Sequence, residues 1–140
     1  KAINFIDAIE EVNREYVSKN AMFKNFKIHL YQVYVSTQHD IHNYRPCVPI
    51  LERYITIDNR TKDDVWAYKY LSSAYGYLEN VLSKSRGVSE DDIIHHKQKK
   101  NEYLLTAVKI EYGVRSPEYK HMKEVVERDE MKTERLNDYQ

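Results

Sequence analysis

The chain has 140 residues, with 22 Lys and Arg balanced by 22 Asp and Glu, and it contains only 3 Gly and 3 Pro. A formal net charge of zero argues against a general nucleic-acid coat or membrane-surface binder, because such proteins usually carry a basic excess. Few Gly and Pro mean few tight turns, which argues against sandwiches and barrels. The length suits one domain. Composition therefore predicts an all-α, single-domain bundle of about five helices.

The single cysteine, Cys47, excludes a disulfide within the chain and favours a reducing compartment. No apolar run approaches the ~18 residues of a transmembrane helix, so we expect no membrane partner. Together these features predict an intracellular, cytoplasmic protein. The 13 tyrosines, against 3 phenylalanines, suit half-buried positions at helix contacts or interfaces, because a tyrosine ring is apolar with a polar tip.

Apolar residues recur at helical spacing through most of the chain. In the second helix Asn20 is a candidate N-cap, and Phe26, Val33 and Ile41 belong to the expected apolar stripe. Residues 28–57 are also rich in β-branched and aromatic side chains, so a short strand pair in this stretch stays open as an alternative. The predicted helices are 3–18, 21–41, 62–85, 89–112 and 117–137.

The last three helices also carry start and stop signals, with Gly87 and Gly113 as the expected stops of the first two. Ser89 precedes three acidic residues, and Ser116 precedes Pro117, which is favoured at the first helical position. The segment from Thr61 to Asp64 resembles a capping box, with the helix following it. Gly76 lies in the middle of that helix, where glycine is disfavoured, which predicts close contact with a neighbouring helix.

A basic run in the fourth helix is a candidate nucleic-acid site, because lysine and histidine side chains can contact phosphates. The alternative is a solvated helix face whose charge is offset by the acidic residues 90–92, and the balanced composition favours it. The candidate residues are His96, Lys97, Lys99 and Lys100.

Arg115 and His121 have the Arg-x(4–6)-His spacing that resembles the motif of the HEPN ribonucleases, which are all-α domains of this size. The resemblance implies that Arg115 would steady a phosphate and that His121 would act in RNA cleavage, as a group that titrates near neutrality. Glu118-x-x-His121 is a single copy of a motif that di-iron bundles need twice. We therefore predict neither a metal nor a cofactor.

Without a complete catalytic constellation, the sequence favours a non-enzymatic helical module for protein–protein interaction or assembly, with a protein partner or a second copy of itself. A small nucleic-acid binder or HEPN-like ribonuclease is the alternative. Exposed apolar and tyrosine side chains on the later helices are the predicted interface: Tyr68, Tyr75, Tyr77, Met122, Val125 and Val126.

Overall fold

The computed structural model describes residues 2–12 and 20–138, with side chains described for residues 2–11 and 20–132. Within these ranges the chain forms seven α-helices and no strand, which confirms the all-α class. The chain divides into two compact units, residues 1–62 (unit 1) and residues 63–140 (unit 2). The helices are α1 (Ala2–Val12), α2 (Ala21–Asp40), α3 (Cys47–Tyr54), α4 (Asn59–Lys62), α5 (Val65–Ser83), α6 (Glu90–Tyr112) and α7 (Pro117–Asp138).

The predicted count of about five helices and the strand pair are not confirmed. The region 28–57 is described throughout and contains the second half of α2 and all of α3. Tyr31 and Val35, four residues apart, are fully buried, whereas Val33 between them is half exposed. A strand would place all three on one face, whereas a helix separates Val33 from the other two. The local sequence suited both a helix and a strand, and packing favoured the helix. Of the predicted helix 3–18, residues 13–18 lie outside the described part of the chain.

Pro46 and Pro49, which in the sequence resemble an interruption of helical structure, instead lie at the start of α3. Pro46 is the N-cap residue, and Pro49 is the third residue of the helix. In this first turn the backbone N–H groups have no partner within the helix, so proline loses no hydrogen bond there. Two short helices, α3 and α4, thus occupy the segment between the long ones and account for the higher count.

The helices of unit 1 pack around an apolar core, and hydrogen bonds and ion pairs between side chains also join them. Asp7 of α1 accepts hydrogen bonds from the Tyr31 hydroxyl, at 3.0 Å, and from Arg53 Nη1 of α3, at 2.7 Å. Lys27 Nζ of α2 lies 2.6 Å from Glu10 Oε1 of α1. These contacts hold α1 and α3 against α2. The buried apolar residues of the unit are Ile3, Ile6, Tyr31, Val35, Cys47, Ile50, Leu51 and Tyr54.

The helices of unit 2 begin at side-chain caps. Ser89 Oγ accepts a hydrogen bond from Asp92 N at 3.2 Å, and Ser116 Oγ accepts one from Tyr119 N at 3.1 Å, as the sequence predicted. The helix predicted over 62–85 begins at Val65, because Asp64 caps it. The hydroxyl of Thr61 bonds instead to the backbone of Asp58 in unit 1.

Close packing of α5 on α6 occurs where Gly76 predicted it. A Cβ atom at Gly76 would lie 3.1 Å from Lys100 Cδ, so a larger residue would press on the lysine side chain. Near this contact Tyr75 of α5 stacks on Tyr103 of α6, with ring centroids 5.9 Å apart. At the far end of α6, Gly113 has a φ of 94°, a conformation that favours glycine and ends the helix.

Candidate interaction surfaces

The second helix exposes large apolar side chains along one side. Met22, Phe26 and Val33 are 81%, 57% and 49% exposed. At 100° per residue, these positions fall within about 40° of one another around the helix axis, and the buried Tyr31 and Val35 fall on the opposite side. We call Met22, Phe26 and Val33 the α2 outer face. A helix that is apolar on both sides is normally buried on both, so this face is a candidate docking surface.

An apolar groove adjoins the α2 outer face at Val33. It has a volume of about 390 Å³ and runs along the α1, α2 and α3 side chains of unit 1. Its lining contains no charged side chain, so filling the groove would not force a charged group of the protein to lose its hydration. The apolar lining residues are Ala2, Ile3, Leu30, Val33, Tyr34 and Ile50.

Unit 2 has a different surface, dominated by charge. Lys97 Nζ of α6 lies 3.6 Å from Glu79 Oε1 of α5 and 3.6 Å from Asp129 Oδ1 of α7. Lys100 Nζ lies 3.0 Å from Glu79 Oε2 and 3.5 Å from Asp129 Oδ2. We call Glu79, Lys97, Lys100 and Asp129 the three-helix ion network. Each lysine touches carboxylates on two other helices, so the network ties α5, α6 and α7 together.

Asn101 extends this network into the interior of unit 2. Its side chain is buried, and its Nδ2 group is 3.3 Å from Asp129 Oδ2 and 3.4 Å from Glu130 Oε1. Burial disfavours the charged carboxylate of Asp129, but the hydrogen bond from Asn101 and the charges of Lys100 and Lys97 outweigh it and lower its pKa. Asp129 therefore stays ionised as an anchor of α7.

The FcpA family model matches residues 1–135, which is nearly the whole chain. The chain belongs to the FcpA family. No curated protein matches it.

The lysines of the predicted nucleic-acid site all have carboxylate partners in this FcpA-family protein. Lys97 and Lys100 belong to the three-helix ion network, and Lys99 Nζ lies 3.5 Å from Glu102 Oε2. The ring of His96 lies against Tyr75, with centroids 5.6 Å apart. The charge of the run is thus balanced, although by other acids than the predicted residues 90–92. Nucleic-acid binding stays a prediction, and a phosphate would have to compete with these ion pairs.

Arg115 and His121 are both exposed, on either side of the Ser116 cap at the start of α7. No hydrogen bond or ion pair in the described part of the chain joins the two side chains, so the ribonuclease hypothesis gains no support from contact between them. No group of three or more His, Cys, Asp or Glu side chains among the described residues is placed to hold a metal ion. Burial raises the pKa of the Cys47 thiol to about 11, which keeps this thiol protonated and poorly nucleophilic near neutrality.

The predicted interface residues separate into two groups. Tyr68, Tyr75 and Val126 are buried within unit 2 and form part of its core, and Met122 is half-buried. Tyr77 and Val125 are exposed. Helical spacing predicted that Phe26 and Val33 face the core, so the α2 outer face could not be recognised from the sequence. The buried residues of α2 are Tyr31 and Val35 instead. Spacing identifies an apolar face but not which of two such faces packs inward.

Among the helices of residues 2–12 and 20–138, none combines the length and apolar character needed to cross a bilayer. The cytoplasmic location inferred from the single cysteine stays a prediction.

Proposed function

We propose that this FcpA-family chain is a non-enzymatic interaction or assembly module that self-associates through the α2 outer face. The observation that carries the proposal is the exposure of Met22, Phe26 and Val33 on the side of α2 opposite its buried residues. Scattered single apolar residues on a protein surface are ordinary, whereas an aligned set on one helix is typical of a contact surface.

A second copy is a suitable partner for this face. Two identical apolar faces can pair about a two-fold axis, and Met22, Phe26 and Val33 introduce no charge that would repel its own counterpart. Complete burial of such a side chain is worth roughly 1.5–3 kcal/mol. Six of them, three from each copy and each already partly covered, supply roughly 6–11 kcal/mol. This gain is of the same size as the association cost of roughly 4–15 kcal/mol. We expect a weak, concentration-dependent dimer.

The test is the molar mass of the full chain in solution over a wide concentration range, by sedimentation equilibrium. Wild type should show a rising average mass, and Phe26→Glu should remain a monomer at the same concentrations, because two carboxylates would face each other in the pair. Ser73→Glu, at an exposed position of α5, is the matched control and should associate like wild type. A wild-type chain that stays strictly monomeric at high concentration would contradict self-association.

The alternative, a small nucleic-acid binder or HEPN-like ribonuclease, has less support because the lysines of the basic run are engaged with carboxylates. Its test is RNA cleavage by wild type and His121→Ala under identical conditions. Equal background rates in the two proteins would remove the ribonuclease hypothesis.

A further inference from the structure

We propose that a groove between α6 and α7 in unit 2 binds an acidic amphipathic helix of a partner protein. The groove has a volume of about 470 Å³, within the usual range for ligand-binding clefts. It shares no residue with the α2 outer face, since all of its lining belongs to unit 2. The residues that carry the argument are Leu104, Val125 and Val126 on its floor and Arg128 and Lys132 on its rim.

The floor of the groove is apolar and only partly covered. Val126 is buried between the helices, Leu104 is half-buried, and Val125 is 41% exposed. Val125 is exposed and its neighbour Val126 is buried, on a helix that is otherwise rich in charged residues. An apolar side chain placed on Leu104 and Val125 would remove their remaining surface from water, which is the usual anchor of a helix laid in a groove.

The rim of the groove carries two cations that have no ion-pair partner among the described side chains. Arg128 and Lys132 are one helical turn apart and share the side of α7 on which Val125 lies. No ion pair joins either cation to another described side chain, whereas the other charged lining residues, Lys100 and Asp129, pair within the three-helix ion network. The surface therefore combines an apolar floor with two available cations. Its complement is an apolar helix face flanked by carboxylates about one turn apart.

The charge pattern also discriminates among occupants. A second copy that presented the same groove about a two-fold axis would bring Arg128 and Lys132 close to their own counterparts, which is repulsive. A nucleic acid would match the cations through its phosphates but would leave the floor of Leu104 and Val125 without an apolar partner. A helix with both leucine-like anchors and carboxylates satisfies both parts of the groove.

This inference rests on the proposed role in protein interaction but concerns a different surface. Its readout is peptide binding to unit 2, while self-association is read from the molar mass of the chain and its sensitivity to Phe26→Glu. The two proposals can therefore fail separately.

The experiment uses two stapled helical peptides of about 14 residues, roughly four turns, each labelled with fluorescein. Both carry the same leucines at i, i+3, i+4 and i+7, and they differ only in flanking glutamates or flanking lysines. Fluorescence polarisation with the full chain should show saturable binding of the glutamate peptide and none of the lysine peptide. Arg128→Glu with Lys132→Glu should weaken binding of the glutamate peptide at least about tenfold.

Two further variants keep the outcome interpretable. Lys120→Glu with Lys123→Glu changes the net charge equally but lies on the opposite, exposed side of α7, so it should leave binding within about threefold of wild type. Val125→Ser keeps every charge and should also weaken binding, because it removes an apolar anchor.

Four results would overturn the proposal. The first is no binding of the glutamate peptide to wild type, and the second is equal binding of both peptides. The third is an equal loss of peptide affinity in the rim double variant and the control double variant, which would show that net charge alone governs binding. The fourth is displacement of the peptide by a single-stranded RNA oligomer. If this RNA binds more tightly than the peptide and loses affinity in the Arg128→Glu, Lys132→Glu variant, the groove is a nucleic-acid site.

Discussion

Both units of this chain combine apolar burial with ion pairs between helices, but they differ in what holds a long helix in place. In unit 1, the buried part of α2 is apolar, and a second apolar side is left exposed as the α2 outer face. In unit 2, α7 buries only Val126 among its described side chains and is held to α5 and α6 by the three-helix ion network. Apolar burial has no directional requirement and responds little to moderate sodium chloride, whereas partly buried ion pairs depend on both geometry and salt. The units should therefore respond differently to the same perturbations.

The largest expected effect is on the apolar core of unit 1. Leu51→Ala removes a fully buried side chain of α3 and should lower the free energy of unfolding by about 2–5 kcal/mol, through lost burial and the cavity left behind. Urea denaturation followed by circular dichroism measures the loss, and hydrogen exchange should locate it in residues 20–62. The cost should be the same at low and high salt. Phe26→Ala on the outer face is the control, and a comparable cost there would mean that this face is buried in solution.

Removing the α7 carboxylate from the ion network should have a smaller but salt-dependent effect. Asp129→Ala takes away a partner of Lys97, Lys100 and the buried Asn101, at a cost of about 1–3 kcal/mol. Hydrogen exchange should then rise first in α7. High salt should narrow the difference from wild type, because it screens the wild-type pairs. A loss that is unchanged by salt would show that packing, not charge, holds α7.

Acid should weaken unit 2 through the same carboxylate. The pKa of Asp129 is lowered in the folded chain, so its contribution is fully present above its unfolded value of about 3.9 and is lost as the pH falls through the lower folded value. The urea midpoint for the α7 signal should therefore decline below about pH 4 in wild type. Asp129→Asn, already weaker, should decline less over this range. Parallel declines in the two proteins would place the acid sensitivity elsewhere.

The smallest expected effect is at the close approach of α5 and α6. Gly76→Ala should gain helix propensity of up to about 1 kcal/mol, but its new methyl group would press on the Lys100 side chain. In wild type the network restrains Lys100, so the net gain should be small. In an Asp129→Ala background the lysine can move more easily, and the gain should be larger. A double-mutant cycle in urea measures this coupling, and strictly additive effects would argue against it.

Much of the fold could be predicted from local sequence. The caps at Ser89 and Ser116 and the stop at Gly113 depend on hydrogen bonds and backbone preferences within a few residues, so their positions were evident without the fold. Helix α3 was hidden because its prolines resemble a break unless they fall in a first turn. The close contact at Gly76 was also predicted, although its partner Lys100 was not.

The candidate sites depended much more on tertiary structure. The sequence showed that α2 carries apolar residues and that α6 carries a basic run, but each pattern is compatible with more than one surface. Only packing decided that Tyr31 faces inward and Phe26 outward, because both sides of α2 are apolar and burial depends on what the neighbouring helices offer. Only packing brought Glu79 and Asp129, which are distant in sequence, to Lys100, because ion pairs between helices are set by helix placement and not by spacing along one helix. The sequence by itself thus determined where most of the helices begin and end, and the tertiary structure decided which of their faces remain available to a partner.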